Sequence, residues 1–174
     1  MANTHGVVNT THCSCWTDDA LNFSGIAETD IDNGTFVALG DLQKTGNVID
    51  EYTFTVTPDA NGTSTIKYIV DTQIGKASTL EQQLYNDPRH FYNIAGRTMS
   101  VKQLQTGNCI EINAEAMVTG ATPVDQPTYK TASIGAAGKL QMVSGDAGAF
   151  KYMGSVNRGI GQEVVPHYVF MLMA

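Results

Sequence analysis

Basic residues are scarce in this sequence: ten lysines and arginines stand against seventeen aspartates and glutamates, for a formal net charge of −7. They form no run. Affinity for nucleic acid comes largely from Lys and Arg displacing counterions at phosphates, so this scarcity argues against a DNA or RNA partner. Long apolar runs are also missing. The most hydrophobic segment, Val164 to Met173, is about half the ~20 residues of a bilayer span and contains Pro166 and His167, so no membrane partner is expected. Met1 to Gly6 has neither the basic start nor the apolar stretch of a secretory leader, and synthesis in the cytoplasm without export is expected. The sequons at Asn9, Asn22, Asn33 and Asn61 then read as by-products of an Asn- and Thr-rich composition. Three cysteines, an odd number, give no disulfide framework. Catalytic signatures are absent too: there is no Gly-x-Ser-x-Gly elbow, no Gly-x-Gly-x-x-Gly and no phosphate loop. No enzyme and no cofactor are expected.

What remains is a composition suited to a folded body. The 174 residues suffice for one domain with a real core or at most two small ones, with 42% apolar and 16% charged residues. Seventeen glycines favour turns over long helices. The clearest segment is Asp30 to Leu42. There Asn33-Gly34 supplies a turn, a β-branched and aromatic run follows over 35–39, and Gly40-Asp41 is read as its end. Tyr52, Phe54 and Val56 alternate with threonines, and Ile66, Tyr68 and Val70 resume after the turn at Pro58 to Gly62, which predicts an antiparallel hairpin. Met99 and Val101 alternate, Gly107-Asn108 turns the chain, and Ile110, Ile112, Ala114, Ala116 and Val118 share one face. Residues 129–134 and 139–143 flank Gly135 to Gly138 as a hairpin. Phe150 and Tyr152 alternate, Gly154 to Gly161 reads as a loop, and 164–172 forms a last strand.

One short helix is expected over 79–86, with Ser78 and Glu81 as a capping box, Leu80 and Leu84 on one face, and Pro88 as terminator. The fold class that follows is mainly β: an antiparallel sandwich or barrel of about eight to ten short strands. Residues 1–29 lack a sustained period and are expected to form an extended N-terminal arm or a few irregular strands. Residues 30–174 are expected to form a single β-rich domain.

Two clusters carry ligand-type residues. His12-Cys13-Ser14-Cys15-Trp16, with His5 upstream, lacks the Cys-x2-Cys spacing, and His90 and Cys109 lie far off, so no metal is expected. The thiols read as packed side chains and Trp16 as an anchor for the arm. Asp18, Asp19, Glu28, Asp30 and Asp32 lack the continuing loop and bidentate Glu of a calcium hand and read as solvated turn acids. Aromatic and basic residues around Pro88 suggest protein contacts through Tyr85, Arg89, Phe91 and Tyr92, joined as candidates by Trp16, Tyr168 and Phe170. The terminal strand is nearly all apolar. It must lie centrally between two layers or be covered by a neighbouring subunit.

Three segments, Ile31 to Leu42, Phe91 to Arg97 and Leu104 to Ala116, match in order and spacing the small β-rich auxiliary proteins encoded beside the major capsid protein of tailed bacteriophages. The chain resembles this capsid decoration or head-fibre-like family over roughly residues 31–118. It departs at Gly107-Asn108-Cys109, where the pattern expects an acidic and a larger apolar residue. The resemblance implies a virion structural protein on the capsid exterior, partnered by the major capsid protein and by its own copies, with a trimer ahead of other orders. Two other readings fit the residues: a tail, neck or fibre-attachment subunit, and a carbohydrate- or metal-binding β-sandwich.

Overall fold

A computed structural model describes residues 4–73, 88–160 and 163–173, with Asp50 described in its backbone only. The fold is mainly β, with eleven strands and only short 3-10 turns among the described residues. In chain order the strands are β1 (Val8–His12), β2 (Asn22–Ile26), β3 (Phe36–Thr45), β4 (Val48–Pro58), β5 (Lys67–Val70) and β6 (Thr98–Leu104). They continue with β7 (Cys109–Ile112), β8 (Thr131–Ile134), β9 (Leu140–Val143), β10 (Phe150–Ile160) and β11 (Glu163–Leu172). Strands β2-β4-β3-β5-β6 close into a small barrel, and β1-β7-β11-β10-β8-β9 form a six-stranded sheet.

Strand alternation builds two cores from the same barrel staves. Val37, Val56, Val70, Met99 and Val101 point into the barrel. Their neighbours Phe36 and Ile69 point outward with Leu104, into a larger core shared with Ile110, Ile112, Leu140, Phe150 and Phe170 of the six-stranded sheet. Phe36 meets Phe150 edge-on at 5.1 Å between ring centres. Five strands enclose a narrow interior. At Gly25 on β2 a Cβ would collide with Val56 and Val101, so glycine is what lets that strand close the barrel.

The N-terminal segment, expected foremost as an extended arm, is instead built into both sheets as short strands. β1 pairs antiparallel with β7, while β2 joins the barrel, parallel to β4 and antiparallel to β6. Both strands are only five residues long and rich in Thr, Asn and Ser, too short and polar to show a period.

Several expectations are corrected. Gly40-Asp41 does not end β3; the register shifts between Leu39 and Leu42 and the strand continues to Thr45. β4 and β5 are not hairpin partners, because β3 lies between them and pairs with both. Residues 154–160 are strand rather than loop. The glycine that suggested a loop, Gly154, sits at a register shift after Tyr152, a bulge that one extra residue introduces without ending the pairing. After Ile112 the chain leaves the sheet, and Asn113 caps a 3-10 turn over Ala114–Ala116 by accepting from the Ala116 N–H. The terminal strand β11 lies inside its sheet over Tyr168–Met171, between β7 and β10, whereas its first half pairs with β10 alone and leaves Val164 exposed. The 131–143 hairpin forms as expected. The helix expected over 79–86 lies outside the described residues.

Candidate functional site

Two long hairpins reach beyond the strands that flank them. In the first, β3 touches β5 only at Phe36 and Val37, and β4 touches β2 only from Thr53 to Thr55. Lys44 and Thr45 pair with Ile49 and Val48 and with no other strand, so the tip is a two-stranded ribbon, and the register shifts before Leu42 meets Phe54. Gly46, at φ +64, occupies the first place of the two-residue connection, the position that primed hairpin turns give to a residue with positive φ. Near this tip three large apolar side chains face solvent: Tyr52 is 82% exposed, Val48 68% and Ile49 47%. Of the expected apolar face Tyr52, Phe54 and Val56, only Val56 reaches the barrel interior, and Tyr52 is exposed while its neighbour Thr53 is buried. Phe54 packs edge-on against Phe23 at 5.8 Å, and Tyr52 lies past the end of that cover. Asp41, Lys44 and Glu51 are exposed along the ribbon, the kind of charge that discourages indiscriminate edge pairing.

The second ribbon is the outer part of β10–β11. β10 meets β8 only at Phe150 and Lys151, and β11 meets β7 only from Tyr168 to Met171. Met153 and Val164 are exposed on it. Charged side chains tie it back. Arg158 donates to buried Glu111 from Nε at 2.9 Å and Nη2 at 2.7 Å, and Arg89 donates to Glu163 at 2.5 Å.

The expected contact residues divide by burial. Phe91, Tyr168 and Phe170 are buried in the chain's own packing and leave no surface for a partner. Aromatic side chains on half-covered strands fill the core first, and sequence alone does not separate the two uses. Tyr92 stacks on His5 with ring centres 4.8 Å apart. His5 in turn contacts Asp32 at 2.7 Å, so this group fastens the N-terminal residues to the loop before β3. Tyr85 lies outside the described residues. Trp16 alone among the described candidates is largely exposed, at 54%.

Trp16 crowns a polar cluster joining β1, β6 and the chain after β5. The Lys102 ammonium lies 4.9 Å from the centre of the Trp16 ring. It donates to Asp71 at 2.7 Å and to the Thr10 hydroxyl at 2.9 Å, and Thr10 donates to the same Asp71 oxygen at 2.5 Å. Cys13 and Cys15 are buried beside it. A hydrogen bond to the Cys15 sulfur, together with burial, pushes the Cys13 thiol far up, and the same bond with the nearby Lys102 charge holds Cys15 down. Trp16 is thus a lid on a charged pair. No group of three His, Cys, Asp or Glu side chains suited to a metal occurs among the described residues.

Two buried groups on the six-stranded sheet make stability pH-dependent. Burial pushes the His167 imidazole below its ordinary 6.5, against a smaller upward pull from its contact with the Val165 carbonyl and from Glu111. The Arg158 hydrogen bonds hold the Glu111 carboxyl below its ordinary 4.5. In both, the folded pKa lies beneath the unfolded one, so the unfolded chain takes up the proton first and stability falls as pH falls. The loss is expected to begin below about pH 6.5 for His167 and below about pH 4.5 for Glu111. Urea midpoints measured across this range should drop in two stages, with His167→Phe removing the upper one. A midpoint constant from about pH 7 to pH 5 would contradict this assignment.

No family model, curated protein or solved structure matches this chain.

Proposed function

We propose that this chain is a non-enzymatic virion protein that docks on the exterior of a tailed-bacteriophage capsid, through the β3–β4 ribbon, and reinforces the shell or displays surface. The observation that carries the reading is the ribbon itself. Two-stranded hairpins are marginal alone in water, and one that ends in exposed Val48, Ile49 and Tyr52 is suited to gaining apolar cover from a partner. Its open edges could in addition accept a strand of that partner.

The segments that resemble decoration proteins support the reading by their placement. Asn93, from the second segment, bridges Ile31 of the first and donates to Asn33 at 3.1 Å. Asn33 in turn exchanges hydrogen bonds with Thr72, at 2.9 and 3.0 Å. The first two segments thus form one buried framework at the root of the ribbon. The net charge of −7 fits an exterior position, since packaged DNA repels such a chain. Repetition around a shell adds avidity to modest single contacts, and a symmetric oligomer, a trimer in this reading, multiplies it further. The exposed β10–β11 ribbon offers a second surface for contact between copies.

Purified chain mixed with undecorated heads should pellet with them over a range of salt, with the major capsid protein as its partner. Failure to co-sediment at any salt would defeat the proposal.

A further inference from the structure

We infer that the hollow beside Trp16 is a binding site for a neutral pyranose, taken as the terminal one or two sugars of a glycan. The hollow holds about 370 Å³, near the lower end of small-ligand sites, which span roughly 300–1,000 Å³. Trp16 forms one wall, and Asp19, Asn22, Asp71, Gln73 and Ser100 line the rest. A second hollow of about 260 Å³ shares Trp16, Asp71 and Gln73 and adds apolar Val8 and Pro88, so the indole stands between two adjoining depressions.

The chemistry of these walls selects the ligand. An indole offers a wide apolar face with negative quadrupole, which suits the C–H face of a pyranose ring. Trp16 is held for that use, because the Lys102 charge, fixed by Asp71 and Thr10, lies against the ring while more than half of the residue faces solvent. Around it stand a carboxylate, a primary amide and a hydroxyl, on Asp19, Gln73 and Ser100. None of the three side-chain groups is engaged in a hydrogen bond to another described residue. Together they offer acceptors and donors in the mixture that vicinal sugar hydroxyls pair with. The Asn22 amide, by contrast, is held by the Cys15 and Asp18 carbonyls, which fixes the floor.

Charge excludes the competing ligands. Acidic sugars and nucleotides would meet the Asp19 carboxylate on a chain already at −7. Lys102 already lies against the Trp16 ring, the place that a cationic ligand would take. The site is separate from the β3–β4 ribbon and its test needs no particle, so docking and sugar binding can fail independently.

The chain contains one tryptophan, so its emission reports this hollow directly. The full-length protein would be titrated with methyl glycosides of glucose, galactose, mannose and N-acetylglucosamine and with their disaccharides. Sialic acid and glucosamine serve as charged controls. At least one neutral sugar should shift the emission saturably, with half-saturation of about 0.1–10 mM, and neither control should match it. By calorimetry, Asp19→Ala should weaken that sugar about tenfold and Trp16→Ala should remove measurable binding. Should Trp16→Ala fail to fold, Gln73→Ala, at an exposed position, replaces it with the same expectation. No response from any neutral sugar up to about 50 mM, an equal response to sialic acid, or full affinity in these variants would overturn the assignment.

Discussion

Replacing Val48 and Tyr52 together by aspartate is expected to abolish attachment to heads while leaving the fold intact. Both side chains are mostly exposed and lie where the hairpin has no neighbouring strand, so the chain's own packing loses little; surface changes of this kind usually shift stability by about 0.5 kcal/mol or less. The interface loses much more. A tyrosine at the centre of a contact typically contributes about 2 kcal/mol or more, which alone is about thirtyfold in affinity. A buried, unpaired carboxylate in its place adds desolvation cost. Across many copies the loss compounds, because each weakened contact also lowers avidity. Val124→Asp is the control. It is 73% exposed, lies outside both ribbons, and should leave attachment unchanged. Quantitative pelleting against a concentration series measures the effect. Equal binding by the double variant and the native chain would remove the ribbon from the account.

The second large effect concerns the inside of the molecule. Asp71→Ala should destabilise the chain by about 3–5 kcal/mol, because it leaves the Lys102 ammonium, only 7% exposed, without its counter-charge. The Thr10 hydroxyl would remain as its partner, and a hydroxyl does not neutralise a charge. For a chain of this length that corresponds to a midpoint lower by about 10 °C. The sign of the companion experiment is the more telling part. Removing both charges, as Asp71→Leu with Lys102→Met, should recover most of the loss, because a buried ion pair repays its desolvation poorly and an apolar pair of similar volume often does as well. Thermal and urea unfolding of the three proteins would show it. A single variant as stable as the native chain, or a double variant worse than the single one, would contradict the picture of a mutually dependent pair.

The legible parts of the fold were short apolar strands. Phe36-Val37 and Ile69-Val70 are buried on both faces, one by the sheet core and one by the barrel, and Met99 and Val101 alternate with Ser100 because only the barrel claims a face there. The hairpin over 131–143 was legible because its glycines fall between two short apolar runs. Pairing was not legible. β4 and β5 follow one another in sequence, yet β3 separates them, and β2 enters the barrel parallel to β4 from a polar stretch without any period.

Glycines inside strands misled for a physical reason. Gly40 and Gly154 lie at or beside register shifts where the pairing bends but continues, and sequence does not distinguish a bulge from a turn. The site was legible only in fragments. Trp16 stood out as the lone tryptophan, but its relation to Lys102 and Asp71 depends on segments more than fifty residues apart. Phe91, Tyr168 and Phe170 have the chemistry of contact residues and the positions of core residues. Gly46-Asn47 was the available sign of the ribbon, a two-residue connection ahead of Val48 and Ile49 that the apparent stop at Gly40-Asp41 obscured.

The central claim is that this β body faces a shell through the tip of one hairpin. Imaging of reconstituted heads by electron cryomicroscopy, at a resolution that traces strands, tests it most directly. The account predicts density for the chain on the outer surface, with residues 42–52 pressed against the major capsid protein and the Trp16 hollow open to solvent. Density on the tail or inside the head, or an outward-pointing ribbon with Val48 and Tyr52 in solvent, would contradict it.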